Sequence, residues 1–302
     1  MGPYRRFKNL TFLFTLLWMC VFLTSCATLS GCSGCNVSHN YTKPFKPHSF
    51  TLLQVKLNLT PVDCTVKELG TSCNDILRWL PPKSVDTVGS GTIVKVANNK
   101  TYVLTAEHVC NHEPLSSFEM KFQPDPTMPP LTAVVTVQQH TDIIAVDAVG
   151  EKHESTVFAA DASNDVCVIQ SDGQWGEGRI VKVAKDLPDI GSKVYNIAAP
   201  FGIFSPGEPG VKLHFEGRYS GYDGVGNYFY TLPARPGSSG SSVLDEKGRI
   251  IGVVHSAMIG FEHVALASSL NSVKALVDSI PDQKPKEPHA DKVVLHKLLF
   301  GF

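Results

Sequence analysis

The chain has 302 residues, of which 43% are hydrophobic and 18% charged, and its formal net charge is −1. That much apolar material excludes an intrinsically disordered chain, which lacks the side chains to bury a core. A nearly balanced charge with no long basic run after the first ten residues excludes the electrostatic footprint of a nucleic-acid binder.

The chain opens on a targeting segment. Arg5, Arg6 and Lys8 form a positive region, and Leu10 to Leu23 is an apolar run of 14 residues. That length suits the core of a signal peptide better than a membrane-crossing helix, which needs about 20. The run ends in Leu23-Thr24-Ser25-Cys26, which resembles the bacterial lipobox. The resemblance implies cleavage before Cys26 and acylation of its sulfur, so that a lipid joins the protein to a membrane. Two other outcomes stay open: an uncleaved anchor, or ordinary cleavage nearby with Cys26 a plain thiol. Residues 1–25 are therefore expected to be a signal peptide. Residues 26–50, rich in Ser, Gly, Cys, Pro and Lys, are expected to be a tether. Residues 51–83 contain a strand-like run, Cys64 and Cys73, and end at Pro81-Pro82. They are expected to form an N-terminal extension packed on the main domain.

Eight cysteines suit an oxidising compartment. Cys64 and Cys73 form a local candidate disulfide. Cys110 and Cys167 each stand two residues past a candidate catalytic residue, so a barrel can bring them close. No His/Cys cluster has zinc-type spacing, and neither a metal nor a cofactor is expected. Glycosylation sequons at Asn36, Asn40, Asn58 and Asn99 matter only in a eukaryotic secretory route and are taken as chance.

From Ser84 onward the pattern is β. Thr92–Val96, Thr101–Leu104, Leu131–Val137 and Val166–Ile169 are short β-branched runs between turn residues. After the polar link 171–178 come Lys193–Ile197, Val211–Phe215, Tyr228–Thr231, Arg249–Val254 and His263–Ala267. Many short strands separated by turns imply barrels or a sandwich. Val273, Leu276 and Val277 have helical spacing, which places one closing helix at 270–280. Beyond it lies a tail, 281–302, whose apolar end either packs back on its own domain or docks elsewhere; the first is favoured.

Three stretches carry chemistry: Thr105-Ala106-Glu107-His108, Asp165-Val166-Cys167-Val168-Ile169, and Gly237-Ser238-Ser239-Gly240-Ser241. A serine hydroxyl needs a base to take its proton, and the base needs a carboxylate to fix its tautomer. The negative oxygen that forms needs N–H donors aimed at it. A Gly-flanked loop can supply such donors. Four serines crowd it (238, 239, 241 and 242), and chemistry alone does not choose among them.

Together the three stretches resemble the trypsin-like, chymotrypsin-fold serine endopeptidases, nearest their HtrA-like and V8-like bacterial branch. Gly89–Val94, Gly191–Gly202, Gly248–Val254 and Ser268–Leu276 match further segments of that family, so the resemblance spans residues 84–280. It implies an all-β fold of two six-stranded antiparallel barrels, at about 84–170 and 179–268, with a C-terminal helix. It also implies His108 as base, Asp165 as orienting acid and Ser239 as nucleophile, with the Gly237 and Ser239 N–H groups as the oxyanion hole. The substrate is then a protein or peptide, and the pocket for the residue before the cut falls on His255, Ser256 and Ala257. Either His255 selects Glu or Gln there, or the pocket is small and apolar; cleavage after Arg or Lys is disfavoured.

The sequence departs from the family at Glu107, Ser238 and Ser241. It has no Ile-Val-Gly-Gly start and no PDZ-sized stretch after residue 280. The expected function is an exported, lipid-anchored serine endopeptidase. The departures motivate an alternative: a catalytically silent relative that binds peptides or surface partners.

Overall fold

The computed structural model describes residues 49–110, 115–123, 126–127, 129–207 and 210–282. The targeting segment, Cys26, most of the tether and most of the tail lie outside the described residues.

The first half contains eight strands: β1 (Phe50–Val66), β2 (Thr71–Ser72), β3 (Lys83–Ala97), β4 (Lys100–Thr105), β5 (Leu115–Phe122), β6 (Leu131–Val146), β7 (Lys152–Asp161) and β8 (Val166–Asp172). Two one-turn helices interrupt them, α1 (Asn74–Leu77) and α2 (Glu107–Cys110). Six strands close into an antiparallel barrel in the order β1-β3-β4-β8-β7-β6, with β6 pairing back on β1. Closure leaves no unpaired edge around the ring.

The second half forms another closed barrel. Its strands are β9 (Lys193–Ala198), β10 (Leu213–Tyr222), β11 (Tyr228–Tyr230), β12 (Ser242–Leu244), β13 (Ile250–Met258) and β14 (Phe261–Ala267), in the order β10-β11-β14-β13-β12-β9. A 3₁₀ turn, Pro200–Gly202, follows β9, and helix α3 (Leu270–Asp278) follows β14. The hydroxyl of Ser269 caps α3 by accepting from the Ser272 N–H at 3.0 Å, which satisfies a donor the first turn leaves orphaned. Val273 and Leu276 bury its inner face. The architecture is thus two six-stranded antiparallel barrels with a C-terminal helix, a chymotrypsin-like fold.

The boundary expected before Ser84 needs correction. Residues 50–59 are a wall of the first barrel, not an extension on it: Leu53 pairs with Gly89 of β3 on one side and with Ala145 of β6 on the other. Leu53 and Val55 are buried in the core. Pairing with β3 stops at Leu59, and the register with β6 shifts between Pro61 and Asp63. Proline has no N–H for a ladder and is accommodated at such an irregularity. Past it, β1 and β6 run on together beyond the barrel, joined by β2 and β5. This annex buries a small core of its own from Val66, Ala133, Val135 and Val137 around the Cys64–Cys73 disulfide.

The second disulfide, Cys110–Cys167, is buried in the main core and joins α2 to β8. Two disulfides suggest an extracytoplasmic protein. Among the described residues no helix is long and apolar enough to cross a membrane. The start of the tail lies against β3, where Lys95 Nζ donates to Ile280 O at 2.6 Å and pairs with the Asp282 carboxylate at 2.9 Å.

Candidate active site

His108 stands on α2, just after β4 ends at Thr105. Its Nδ1 lies 2.8 Å from Oδ2 and 3.0 Å from Oδ1 of Asp165, and its backbone N–H donates to Oδ1 at 3.0 Å. A carboxylate against Nδ1 selects the tautomer protonated there and leaves Nε2 as the acceptor. Asp165 holds this position at φ 48°, in the left-handed region. A residue with a Cβ stays there only where its surroundings impose it, and Asp tolerates it better than most. Burial pushes the Asp165 carboxyl up. Hydrogen bonds from the His108 ring and N–H outweigh that, helped by the charges of His108 and His255, and hold it below its ordinary value of 3.8. The Cys110–Cys167 bridge lies two residues beyond each partner and clamps α2 onto β8.

The structure separates the four serines at the loop leading into β12. Ser238, Ser241 and Ser242 are buried. Ser239 is partly exposed and, with His108, lines a cavity of about 580 Å³ walled by Val88, Val109 and Phe201. Among the described residues no hydrogen bond joins Ser239 Oγ to His108. The two share a cavity without a hydrogen bond between them. A larger cavity of about 990 Å³ opens elsewhere on the first barrel and contains neither.

Each peptide plane of the loop is pinned. Gly237 and Gly240 sit at φ 94° and 88°. A Cβ on Gly237 would strike Ala199 O, and one on Gly240 would strike Ser90 O and Thr105 Oγ1, so both positions require glycine. The Pro236 carbonyl accepts from the Phe201 N–H at 2.6 Å. The Ser238 carbonyl accepts from Ser241 Oγ at 2.7 Å and Ser241 N–H at 3.1 Å, and Asn196 Nδ2 in turn donates to Ser241 Oγ at 2.9 Å. These carbonyls share their planes with the Gly237 and Ser239 N–H groups. The N–H groups of Ser238 and Gly240 are consumed by Arg235 O and Val254 O. Among the described residues no acceptor takes those of Gly237 and Ser239. Two fixed, unused donors beside a partly exposed serine are what a developing oxyanion requires.

The first barrel holds this loop through Ser90, which is fully buried on β3. Its Oγ donates to Gly237 O at 2.7 Å and accepts from Ala199 N–H at 3.0 Å, and its N–H donates to Ser239 O at 2.7 Å. Thr105 Oγ1 donates to Ser90 O at 2.9 Å, tying the same residue to the strand that leads into His108.

His255, Ser256 and Ala257 lie on β13, and none of them lines the cavity at Ser239. Burial pushes the His255 imidazole down and His108 adds to that, while the charge of Asp165 opposes it. His255 therefore lies within the electrostatic reach of the acid–base pair. The residues that sequence reasoning passed over are Ser90, Asn196, Phe201 and the supporting role of Ser241. Their only signal was indirect: Ser90 sits between two glycines, and Ser241 stands where the family has glycine.

A family model described as the trypsin-like peptidase domain matches residues 89–253, more than half of the chain. No curated protein matches the chain. Among solved structures, the chain is similar to the serine endoprotease from Yersinia pestis, at 16% identity and a TM-score of 0.45, over 74% of this chain and 63% of that one. The chain thus spans less than two thirds of that protein's length. It is also similar to Rv3671c from M. tuberculosis H37Rv, in the inactive form of a serine-to-alanine mutant, at 16% identity and a TM-score of 0.44, over 78% of this chain and 87% of that one.

Proposed function

Since the chain belongs to the trypsin-like peptidase domain family, we propose that it is an exported serine endopeptidase with Ser239 as nucleophile, His108 as base and Asp165 as orienting acid. The observation that carries this reading is the His108–Asp165 pair opening on the same cavity as Ser239. The Ser239 Oγ attacks the substrate carbonyl and its proton passes to His108 Nε2. The oxyanion accepts from the Gly237 and Ser239 N–H groups. Collapse breaks the C–N bond, the leaving amine takes the proton from His108, and water then cleaves the acyl-enzyme by the same steps in reverse. The Ser239–His108 bond that the free protein lacks forms when substrate fills the cleft, since catalytic hydrogen bonds tighten in the Michaelis complex.

Export and anchoring belong to the same proposal. The two disulfides support an oxidising compartment, and Cys26 is the residue proposed to carry lipid. One experiment tests both parts: fluorophosphonate labelling of membrane and soluble fractions. Wild type should label and Ser239→Ala should not, and Cys26→Ser should move the labelled band from the membrane to the soluble fraction. Equal labelling of wild type and Ser239→Ala refutes the nucleophile; an unmoved band refutes the lipid.

The absent Ser239–His108 hydrogen bond also favours a second reading, a protease-like peptide-binding protein without activity. A well-folded protein that neither labels nor cuts unfolded casein would establish it.

A further inference from the structure

We propose that the 580 Å³ cavity beside Ser239 is a specificity subsite that selects an apolar residue immediately after the cut bond, with Phe201 as its determining side chain. The inference rests on the endopeptidase reading above and adds the substrate class.

Four observations carry it. First, the cavity lies on the leaving side of the reaction. His108, which hands its proton to the departing amine, forms part of its wall, and β13, expected to hold the acyl side, contributes no residue to it. Second, apart from His108 the wall contains no ionisable group. A charged side chain entering would lose water and find no partner, whereas an apolar one buries surface. Third, Val88 of β3 and Val109 of α2 give the wall branched aliphatic faces, both from the barrel that carries the base. Fourth, Phe201 is held out into this cavity by strain. Its backbone sits at φ 54° and the residue is 66% exposed. A bulky aromatic in the left-handed region persists only where neighbours over-determine it. Here the Phe201 N–H is bonded to Pro236 O, and the next residue turns back through the Gly202 N–H to Ala199 O at 2.9 Å. The fold thus spends backbone strain to present an apolar ring to solvent beside the nucleophile, which core packing does not explain.

The test uses two internally quenched peptides that differ only in the residue after the cut, leucine in one and aspartate in the other. The full chain should cleave the leucine peptide with a kcat/KM higher by about tenfold or more, the scale of discrimination an apolar pocket provides. In Phe201→Asn, a residue that tolerates left-handed backbone, the ratio should fall to within about threefold. Both peptides are read on the same protein, so any general loss of activity cancels. Val88→Thr, nearly isosteric, should lower the ratio in the same direction and serves if Phe201→Asn does not fold. A wild-type ratio near one, or a ratio unchanged in the variants, overturns the subsite. If the protein cuts neither peptide, the endopeptidase reading fails instead. The subsite is then read by calorimetric binding of the same two peptides, where equal affinity overturns it and tighter binding of the leucine peptide upholds it.

Discussion

The two halves of the candidate site are held in different ways. His108 and Asp165 both belong to the first barrel, joined by three hydrogen-bond contacts and flanked by a buried disulfide. Ser239 belongs to a loop of the second barrel, yet Ser90 of the first barrel holds that loop at two carbonyls. The acid–base half is assembled within one barrel. The Ser239 half depends on the seam between two, and the one hydrogen bond not formed at the site, Ser239 to His108, also spans that seam. The His108–Asp165 pair is therefore fixed in the free protein, whereas the Ser239–His108 hydrogen bond is not formed in it.

The sharpest way to break that contrast is Asp165→Asn. Losing the carboxylate costs the imidazole its tautomer, and kcat should fall by about 10⁴. The same variant carries a pH signature. Because the folded-state carboxyl lies below its ordinary value of 3.8, its contribution to stability is present above that value and is lost as pH falls through the lower folded one. Thermal melts should show wild type more stable than Asp165→Asn at neutral pH, with the gap closing below about pH 4.

The disulfides compare the acid–base half with the distant annex. Removing Cys110–Cys167, which spans 57 residues, should cost about 4 kcal/mol by loop entropy, and removing Cys64–Cys73, which spans 9, about 2.5 kcal/mol. Only the first should also lower kcat/KM when both variants are assayed well below their melting temperatures, because only it borders His108 and Asp165. Equal effects on activity would erase the distinction.

Ser90→Ala is the smallest change and probes the seam directly. It removes a hydroxyl that bridges Gly237 O and Ala199 N–H. A net loss of about 1.4 kcal/mol, or tenfold in kcat with KM little changed, is expected if Ser90 positions the oxyanion donors. A fall in melting temperature with kcat intact would make it structural only.

Much of this fold was legible because β-branched runs between turn residues leave few architectures, and three short motifs resembled one family in the right order. The boundary at Ser84 misled because it was drawn at Pro81-Pro82, whereas the strand-like run before them, β1, pairs with β3 and β6. β7 escaped notice because it faces solvent over much of its length and shows only a short apolar stretch around Val157 and Phe158. At the site, His108, Asp165 and Ser239 could be named from sequence, as could both disulfide pairs. Ser90, Asn196 and Phe201 could not. All three lie in segments that resemble the family, but their roles lie in backbone carbonyls they hold across the fold and in a strained dihedral, which residue order marks only indirectly.

The most direct measurement is a crystal structure of the chain after reaction with a peptidyl phosphonate. The expected result is phosphorus bonded to Ser239 Oγ, its charged oxygen within hydrogen-bond distance of the Gly237 and Ser239 N–H groups, and His108 Nε2 turned to the leaving side with Asp165 still on Nδ1. Phosphorus on another side chain, or an adduct on Ser239 whose oxygen points away from both N–H groups, would contradict it.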